Sequence, residues 1–335
     1  MSEHQRPLLV TGGAGYIGSH TVLELLQHGH EVVVLDNLSQ GHRQAVPSAA
    51  TLAVGDLADA RFMEEVFARH QPRAVLHFAA HAYVGESVQD PLKYYRNNLA
   101  APLNLLETMR RHECRQFIFS STCATYGNPQ SLPIDEQHPQ QPVNPYGASK
   151  AMLERVLRDC EPAWGLRTVA LRYFNASGCD PLGRLGEDHQ PETHLIPRVL
   201  MVAAGRLERI EVFGNDYPTP DGTCVRDYIH VSDLARAHVL ALDHLHRDGA
   251  SVAVNLGTGR GFSVGEIIEA ARQVTEREIP VQYGPRRAGD PAHLVCDPSL
   301  ARRLLGWQAQ WLDPVEHLRH AWAWFGGPTS GRYLP

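Results

Sequence analysis

The chain has 335 residues, with 31 Lys and Arg against 37 Asp and Glu for a net charge of −6, and 43% of its residues are apolar. That length exceeds one typical domain and supports a sizeable core, while the acidic balance and the lack of a standout basic cluster exclude the electrostatic footprint of a nucleic-acid binder. No apolar run reaches the ~18 residues of a membrane span, and the six cysteines are scattered with neither a C-x-x-C pair nor a secretory-type leader, which predicts a reduced, cytoplasmic protein.

The predicted elements begin with the apolar strand Leu8–Thr11. It runs into Gly12-Gly13-Ala14-Gly15-Tyr16-Ile17-Gly18 and then into the helical pattern Ile17–Gln27. Gly13, Gly15 and Gly18 fit G-x-G-x-x-G; Gly12, Gly15 and Gly18 fit the looser G-x-x-G-x-x-G. Glycines in such a strand–turn–helix let the backbone approach a pyrophosphate at a helix N-terminus. A second strand, Glu31–Asp36, ends in an acid. A carboxylate there binds an adenosine ribose 2′-hydroxyl and repels a 2′-phosphate, so NAD is favoured over NADP. Strands at Thr51–Val54, Ala74–Ala79, Gln116–Ser120 and Thr168–Arg172 then alternate with helices at Arg61–Arg69, Leu99–Arg111 and Tyr146–Cys160. Runs such as Val32-Val33-Val34-Leu35 suit strands buried on both faces of a parallel sheet. The alternation predicts a Rossmann-type doubly wound α/β fold over residues 1–175.

After Asn175 the rhythm changes. Gly178–Pro191 reads as loop, followed by helix Leu195–Gly205, strand Glu211–Phe213 and a polar loop Gly214–Gly222. Cys224–His230, helix Asp233–Leu245 and strand Val252–Leu256 come next, then helices Val264–Val274 and Val315–Phe325. Strand Val252–Leu256 is expected to rejoin the main sheet. Residues of about 230–258 thus return to the first domain, and 176–229 with 259–335 form a smaller mixed α/β substrate domain. The 19 histidines are dispersed. His244 and His246, at i and i+2, do not face together on a helix. No metal ligand set is expected.

Two lysines stand against 29 arginines, and one of them, Lys150, follows Tyr146 by four residues. Residues i and i+4 share a helix face. An ammonium beside a phenol favours the phenolate and is expected to lower its pKa toward neutrality, where tyrosine serves as a general base or acid. Strand Gln116–Ser120 leads into Ser120-Ser121-Thr122-Cys123, whose hydroxyls should face the same cleft as the glycine turn, beyond the carboxyl ends of the strands.

A Ser/Thr, then Tyr-x-x-x-Lys, after an N-terminal glycine fingerprint resembles the extended short-chain dehydrogenase/reductase superfamily. Further segments narrow the match: Asp36-Asn37-Leu38-Ser39, Gly55-Asp56-Leu57, His77-Phe78-Ala79-Ala80, Val84-Gly85-Glu86-Ser87 and Tyr94-Tyr95-Arg96-Asn97-Asn98 in the first half. Leu171-Arg172-Tyr173-Phe174-Asn175, Pro220-Asp221-Gly222-Thr223, Arg226-Asp227-Tyr228-Ile229-His230 and Arg286-Arg287-Ala288-Gly289-Asp290 follow. Together they resemble the UDP-glucose 4-epimerase family over roughly residues 8–325.

The resemblance implies an isomerase that interconverts UDP-glucose and UDP-galactose with NAD, by C4 oxidation, rotation of a 4-keto intermediate and re-reduction. UDP-xylose/UDP-arabinose or UDP-N-acetylhexosamine is the alternative sugar. A homodimer with a UDP-sugar as partner, and a place in galactose metabolism, are implied likewise. Tyr146 is the implied base, Lys150 orients the nicotinamide ribose, and Thr122 binds the reacting 4-oxygen, with Ser121 the alternative hydroxyl on the cofactor side. Cofactor contacts are implied at Gly12, Gly15, Tyr16, Ile17, Gly18, Asp36, Asn37, Asp56, Leu57, Phe78, Ala79, Ala80, Asn97, Ser120, Ser121, Tyr173 and Phe174. For the UDP-sugar they are implied at Thr122, Tyr146, Asn175, His194, Leu195, Val212, Phe213, Arg226, Arg287, Asp290 and Leu294. The chain departs from the family pattern in two places: His81-Ala82-Tyr83 lacks a lysine that contacts the cofactor, and His194 stands where an asparagine is usual. Sugar-nucleotide dehydratases of this superfamily carry Asp-Glu after the threonine; Cys123-Ala124 stand here, so elimination is not expected.

Overall fold

The structure, a computed structural model, describes residues 6–287, 290–327 and 331–333; Ala288 and Gly289 of the Arg286–Asp290 motif lie outside the described residues. In chain order the first half forms β1 (Leu8–Thr11), α1 (Tyr16–Gln27), β2 (Val32–Asp36), β3 (Thr51–Val54), α2 (Ala60–His70), β4 (Ala74–His77), α3 (Val84–Gln89), α4 (Pro91–Tyr95), α5 (Ala101–Arg111), β5 (Gln116–Thr122), α6 (Pro145–Trp164) and β6 (Arg167–Tyr173). The second half forms β7 (Asn175–Ser177), α7 (Leu195–Ala203), β8 (Ile210–Phe213), β9 (Val225–His230), α8 (Val231–His246), β10 (Val252–Leu256), β11 (Gly261–Ser263), α9 (Val264–Thr275), β12 (Val281–Gly284), β13 (His293–Leu294), α10 (Ser299–Leu305) and α11 (Pro314–Phe325).

Seven parallel strands make one sheet in the order β3-β2-β1-β4-β5-β6-β10. Successive side chains on a strand point to opposite faces, and here both faces are apolar. Leu8, Val10, Val32, Val34 and Leu76 face one core with Val22 and Leu25 of α1 and Leu234, Ala237 and Ala241 of α8. Leu9, Val33, Leu35, Val75 and Phe117 face the other with Met63 of α2, Leu105 of α5 and Leu153 of α6. Fully burying one such side chain contributes ~1.5–3 kcal/mol, which is why these runs settle as central strands. The strand order reverses between β1 and β4, and the crevice beyond their carboxyl ends is where such sheets bind ligands.

The second lobe packs α7, α9 and α11 around its own core, including Ile196, Val199, Ile267, Ile268, Leu318 and Trp324. Two small sheets flank it: β9 pairs with β7, β11 and β13, and β8 with β12. No helix among the described residues is long and apolar enough to cross a membrane.

Two departures from the sequence reading bear on the site. β5 runs on through Thr122, because Ser121 and Thr122 continue the ladder opposite Arg172 and Tyr173. Residues Arg96–Ala100 form a π-helical turn ahead of α5. Such turns are frequent at functional sites, and this one buries the Asn98 side chain. Asn98 Oδ1 accepts from the His81 N–H at 2.9 Å, and its Nδ2 donates to the His81 carbonyl at 2.9 Å.

Candidate active site

The glycine turn between β1 and α1 is closely packed. Gly12 has φ 72°, and a Cβ there would lie 2.4 Å from the Ala79 nitrogen; a Cβ on Gly18 would lie 2.2 Å from the Gly12 carbonyl oxygen. No side chain caps the start of α1, where Gly15 is the N-cap and Tyr16 and Ile17 follow. An uncapped helix N-terminus with such a close backbone suits a diphosphate. Asp36, at the end of β2, is buried, with Oδ2 accepting from the Ala14 N–H at 3.0 Å and Oδ1 from the Leu38 N–H at 2.9 Å. Burial pushes its carboxyl up against the pull of those two donors. Asn37 donates to Asp56 at 2.7 Å, and Leu57 is buried beside them. The carboxylate at the strand end and the cradle over Phe78, Ala79 and Ala80 together fit a dinucleotide.

The chemical groups meet at the ends of β5 and α6. Asn144 caps α6 by accepting from the Gly147 N–H at 2.8 Å, and Pro145 at the first helical position is preorganised for it. Thr122 neighbours the Tyr146 phenol and acts to lower its pKa, while its hydroxyl accepts from the Ala124 N–H at 3.1 Å. Lys150 is buried, and its Nζ donates to the Ser120 carbonyl at 2.8 Å. Burial is the dominant influence on both titrating groups. It pulls Lys150 down to about 7, with Glu154 opposing, and it pushes Tyr146 up to about 12, with Thr122 opposing. The expected lowering of the tyrosine is therefore absent in the free protein. The ammonium is turned to a carbonyl, and desolvation of the phenol outweighs the opposing influence of Thr122.

Several expected ligand contacts are engaged within the protein. The Ser120 and Tyr173 hydroxyls bond to each other. Ser121 points the other way and donates to Glu154 Oε1 at 2.6 Å, so its hydroxyl does not line the cofactor side as expected. Tyr16 donates to the Gly178 carbonyl at 2.5 Å, tying α1 to the second lobe. Asn97 donates to Asn98 at 2.9 Å, and Phe174 is buried. Glu86, left without a role by the sequence, binds Lys93 at 2.6 Å and the Tyr94 hydroxyl at 2.8 Å.

Across the crevice, Asn175 donates to the Asp227 carbonyl at 3.1 Å. Arg226 is nearly buried, bonded to the Val225 and Pro291 carbonyls at 2.8 and 2.9 Å and ion-paired with Asp290. Leu294 lies beside Arg226 in register and packs against the cluster of Tyr126, Ile134, Phe174 and Cys296. The Arg287 guanidinium sits 4.0 Å from the Phe213 ring centroid, with Val212 buried one residue earlier. His194 and Leu195 open α7, but the His194 ring is turned to loop carboxylates, with Nδ1 2.9 Å from Glu192 and 3.0 Å from Glu187. The ring is thus engaged within the protein at the position where a substrate contact is expected.

Sequence reasoning passed over a buried network beneath the site. Arg172 binds Glu154 through Nε at 3.0 Å and Nη2 at 2.5 Å, and its Nη1 donates to the Tyr126 hydroxyl at 3.0 Å. Tyr126 donates to Asn255 at 2.7 Å, and Gln140 donates to Glu154 at 2.9 Å. Glu154 falls one turn after Lys150. The legible signal was a carboxylate on the helix face shared with Leu153 and Leu157, which a solvated residue would avoid.

A doubly wound sheet with a glycine cradle, a strand-end acid and a Thr–Tyr–Lys set defines a nucleotide-dependent enzyme of the extended dehydrogenase/reductase type. Residues 8–257 match the model of the NAD dependent epimerase/dehydratase family. The chain is 52% identical over 317 residues to the UDP-glucose 4-epimerase of Halalkalibacterium halodurans, covering 95% of each chain. Its structure superposes on the UDP-glucose 4-epimerase of Brucella ovis in complex with NAD with a TM-score of 0.94 at 54% identity, covering 96% of this chain and 98% of that one. The UDP-Glc/GlcNAc 4-epimerase of Campylobacter jejuni gives a TM-score of 0.84 at 43% identity, covering 95% and 98%. The chain belongs to the NAD dependent epimerase/dehydratase family, and its cofactor is NAD.

Proposed function

We propose that this enzyme interconverts UDP-glucose and UDP-galactose by inverting carbon 4. The observation that carries the reading is the placement of Thr122 at the end of β5 and of Tyr146 and buried Lys150 on the first turns of α6, with Lys150 Nζ bonded to the Ser120 carbonyl of the same strand end. NAD, when bound, supplies the two-electron acceptor and donor for carbon 4. Tyr146 takes the proton of the 4-hydroxyl and later returns one, and Thr122 holds the same oxygen. Lys150, titrating at about 7, keeps a donor against the nicotinamide ribose. A phenol pushed up to about 12 is a poor base, so positive charge beside it in the loaded enzyme is what makes it work.

Inversion needs the sugar to turn over while the nucleotide stays put. Arg226, Arg287, Asp290 and Asn175 serve as that anchor, with Val212, Phe213 and Leu195 along the nucleoside. Guanidinium forks suit a diphosphate. Residues 1–175 with about 230–258 act as the NAD-binding domain, and 176–229 with 259–335 as the substrate domain. Val88, Leu92, Leu103 and Met152 are exposed on α3, α4, α5 and α6, which gather on one side of the sheet. That apolar surface supports a homodimer, and the setting proposed for it is the cytoplasm and galactose metabolism.

Incubating the purified protein with UDP-galactose and no added NAD tests the reading. UDP-glucose formed without net NADH is the expected result; stoichiometric NADH, or no turnover in folded protein, overturns it. Releasing and identifying the bound nucleotide should give NAD, not NADP.

A further inference from the structure

The loop between β7 and α7 contains a second polar centre that the sequence reading did not foresee. Glu187, His189, Glu192 and His194, all within eight consecutive residues, form the group of potential metal ligands among the described residues. Their four ligand atoms all lie within 4.8 Å of one another. His189 Nδ1 is 3.1 Å from Glu187 Oε1 and 3.5 Å from Glu192 Oε2; His194 Nδ1 is 3.0 Å from Glu187 Oε1 and 2.9 Å from Glu192 Oε1. A tetrahedral ion with bonds of ~2.0–2.2 Å to nitrogen and oxygen spans ~3.3–3.6 Å along each edge; the 3.5 Å separation fits that edge, and the other three would open by a few tenths of an ångström around an ion.

Ordinary ion pairing does not account for the whole arrangement. The Glu187 and Glu192 side chains are only 4% and 6% exposed. Glu192 Oε2 and His189 Nδ1 are both buried without a hydrogen bond of acceptable geometry. The His189 ring nitrogen thus lies near both carboxylates without being aligned for a hydrogen bond to either. A buried carboxylate oxygen left without a donor is costly, and an ion at the centre would satisfy it.

We propose that Glu187, His189, Glu192 and His194 bind one zinc ion as a closed N2O2 structural site. Two neutral imidazoles and two carboxylates balance a dication, and borderline nitrogen and oxygen donors in four-fold array suit zinc over magnesium. Hydrogen bonds fix the loop around the cluster. The Glu187 carbonyl accepts from Trp324 Nε1 at 3.0 Å, and Glu192 Oε1 accepts from the His194 N–H at 2.7 Å. His194, with its side chain 44% exposed, is the entry side. Rings of Tyr16 and Tyr83 from the cofactor lobe lie 6.2 Å from the His189 ring. The ion would cross-link the loop that leads into α7, beside the ring of Tyr16 on α1.

The test uses tag-free enzyme stripped with a chelator, then equilibrated with zinc chloride or magnesium chloride and analysed by elemental mass spectrometry and calorimetry. One zinc per chain, no retained magnesium and a rise in melting temperature with zinc are expected. His189→Asn and Glu192→Gln should each weaken zinc binding by at least ~100-fold, since even outer-shell changes cost 10–100-fold. Substoichiometric zinc in the wild type, or full zinc retention by both variants, overturns the site. If the variants do not fold, cobalt-substituted wild type decides: intense visible absorption of four-coordinate cobalt supports the site, and the weak spectrum of six-coordinate cobalt overturns it.

Discussion

Helix α6 carries two buried polar regions one turn apart, and they are built on opposite principles. Glu154 is enclosed with Arg172, Ser121 and Gln140, every lone pair of its carboxylate occupied. Those donors hold its carboxyl below the usual range despite burial. Lys150 is buried just as deeply and Tyr146 partly so, but both lack a charged partner in direct contact, and both are pushed toward their neutral forms. A fully paired site keeps its charge and does no chemistry. An under-paired one is poised to respond when a ligand arrives.

The largest effect should come from unbalancing the paired region. Arg172→Met leaves Glu154 buried without its cation and should cost ~3–5 kcal/mol, whereas the double variant Arg172→Met/Glu154→Met should recover much of that loss. Urea unfolding of both variants checks this; equal destabilisation would show that shape, not charge pairing, governs the region. Next is the poised region: Tyr146→Phe keeps the ring and should lower kcat by at least ~10²-fold with the fold intact. Near-normal turnover would remove the phenol from the mechanism.

A pH series separates the two regions further. Lys150 has a folded pKa pulled down to about 7 from 10.5. Between those values the unfolded chain binds a proton that the folded one does not, so stability rises with pH across that window. In cofactor-stripped protein, Lys150→Met should exceed wild type in stability below pH 7, and the gap should close as pH rises toward 10.5. A constant gap would mean the ammonium is not perturbed. The neighbouring hydroxyls of β5 should divide in the same way. Ser121→Ala should cost ~1.5–3 kcal/mol of stability, as a bond to a charged group does, while Thr122→Val should slow turnover. Smallest of all, Leu294 borders both regions. Leu294→Tyr should sharpen discrimination against UDP-N-acetylglucosamine and Leu294→Ala relax it, each by roughly 10-fold in the ratio of kcat/KM.

Residues that speak locally were legible in the sequence. The Val32–Leu35 run, the glycine turn and the Tyr146–Lys150 spacing each carry their meaning within a few positions. What stayed hidden depends on long-range closure. Nothing near Ser121 shows that its hydroxyl meets a carboxylate 33 residues on. The fate of Tyr146 was misjudged because spacing shows a neighbour but not its direction, and Lys150 is turned to a carbonyl. His189 sits in a stretch read as loop and His194 just ahead of the predicted helix at Leu195, where helical spacing rules give no warning that four side chains converge.

Asp36 has a consequence for how this enzyme could change. Besides the ribose contact expected of them, its two oxygens fasten the backbone at Ala14 and Leu38. Removing the acid to admit a phosphorylated ribose would also leave two amide donors without their acceptor and loosen the turn that receives the diphosphate. Conversion to NADP is therefore not one substitution away. An evolving or engineered lineage would first need a replacement acceptor for Ala14, which makes the choice of cofactor hard to reverse.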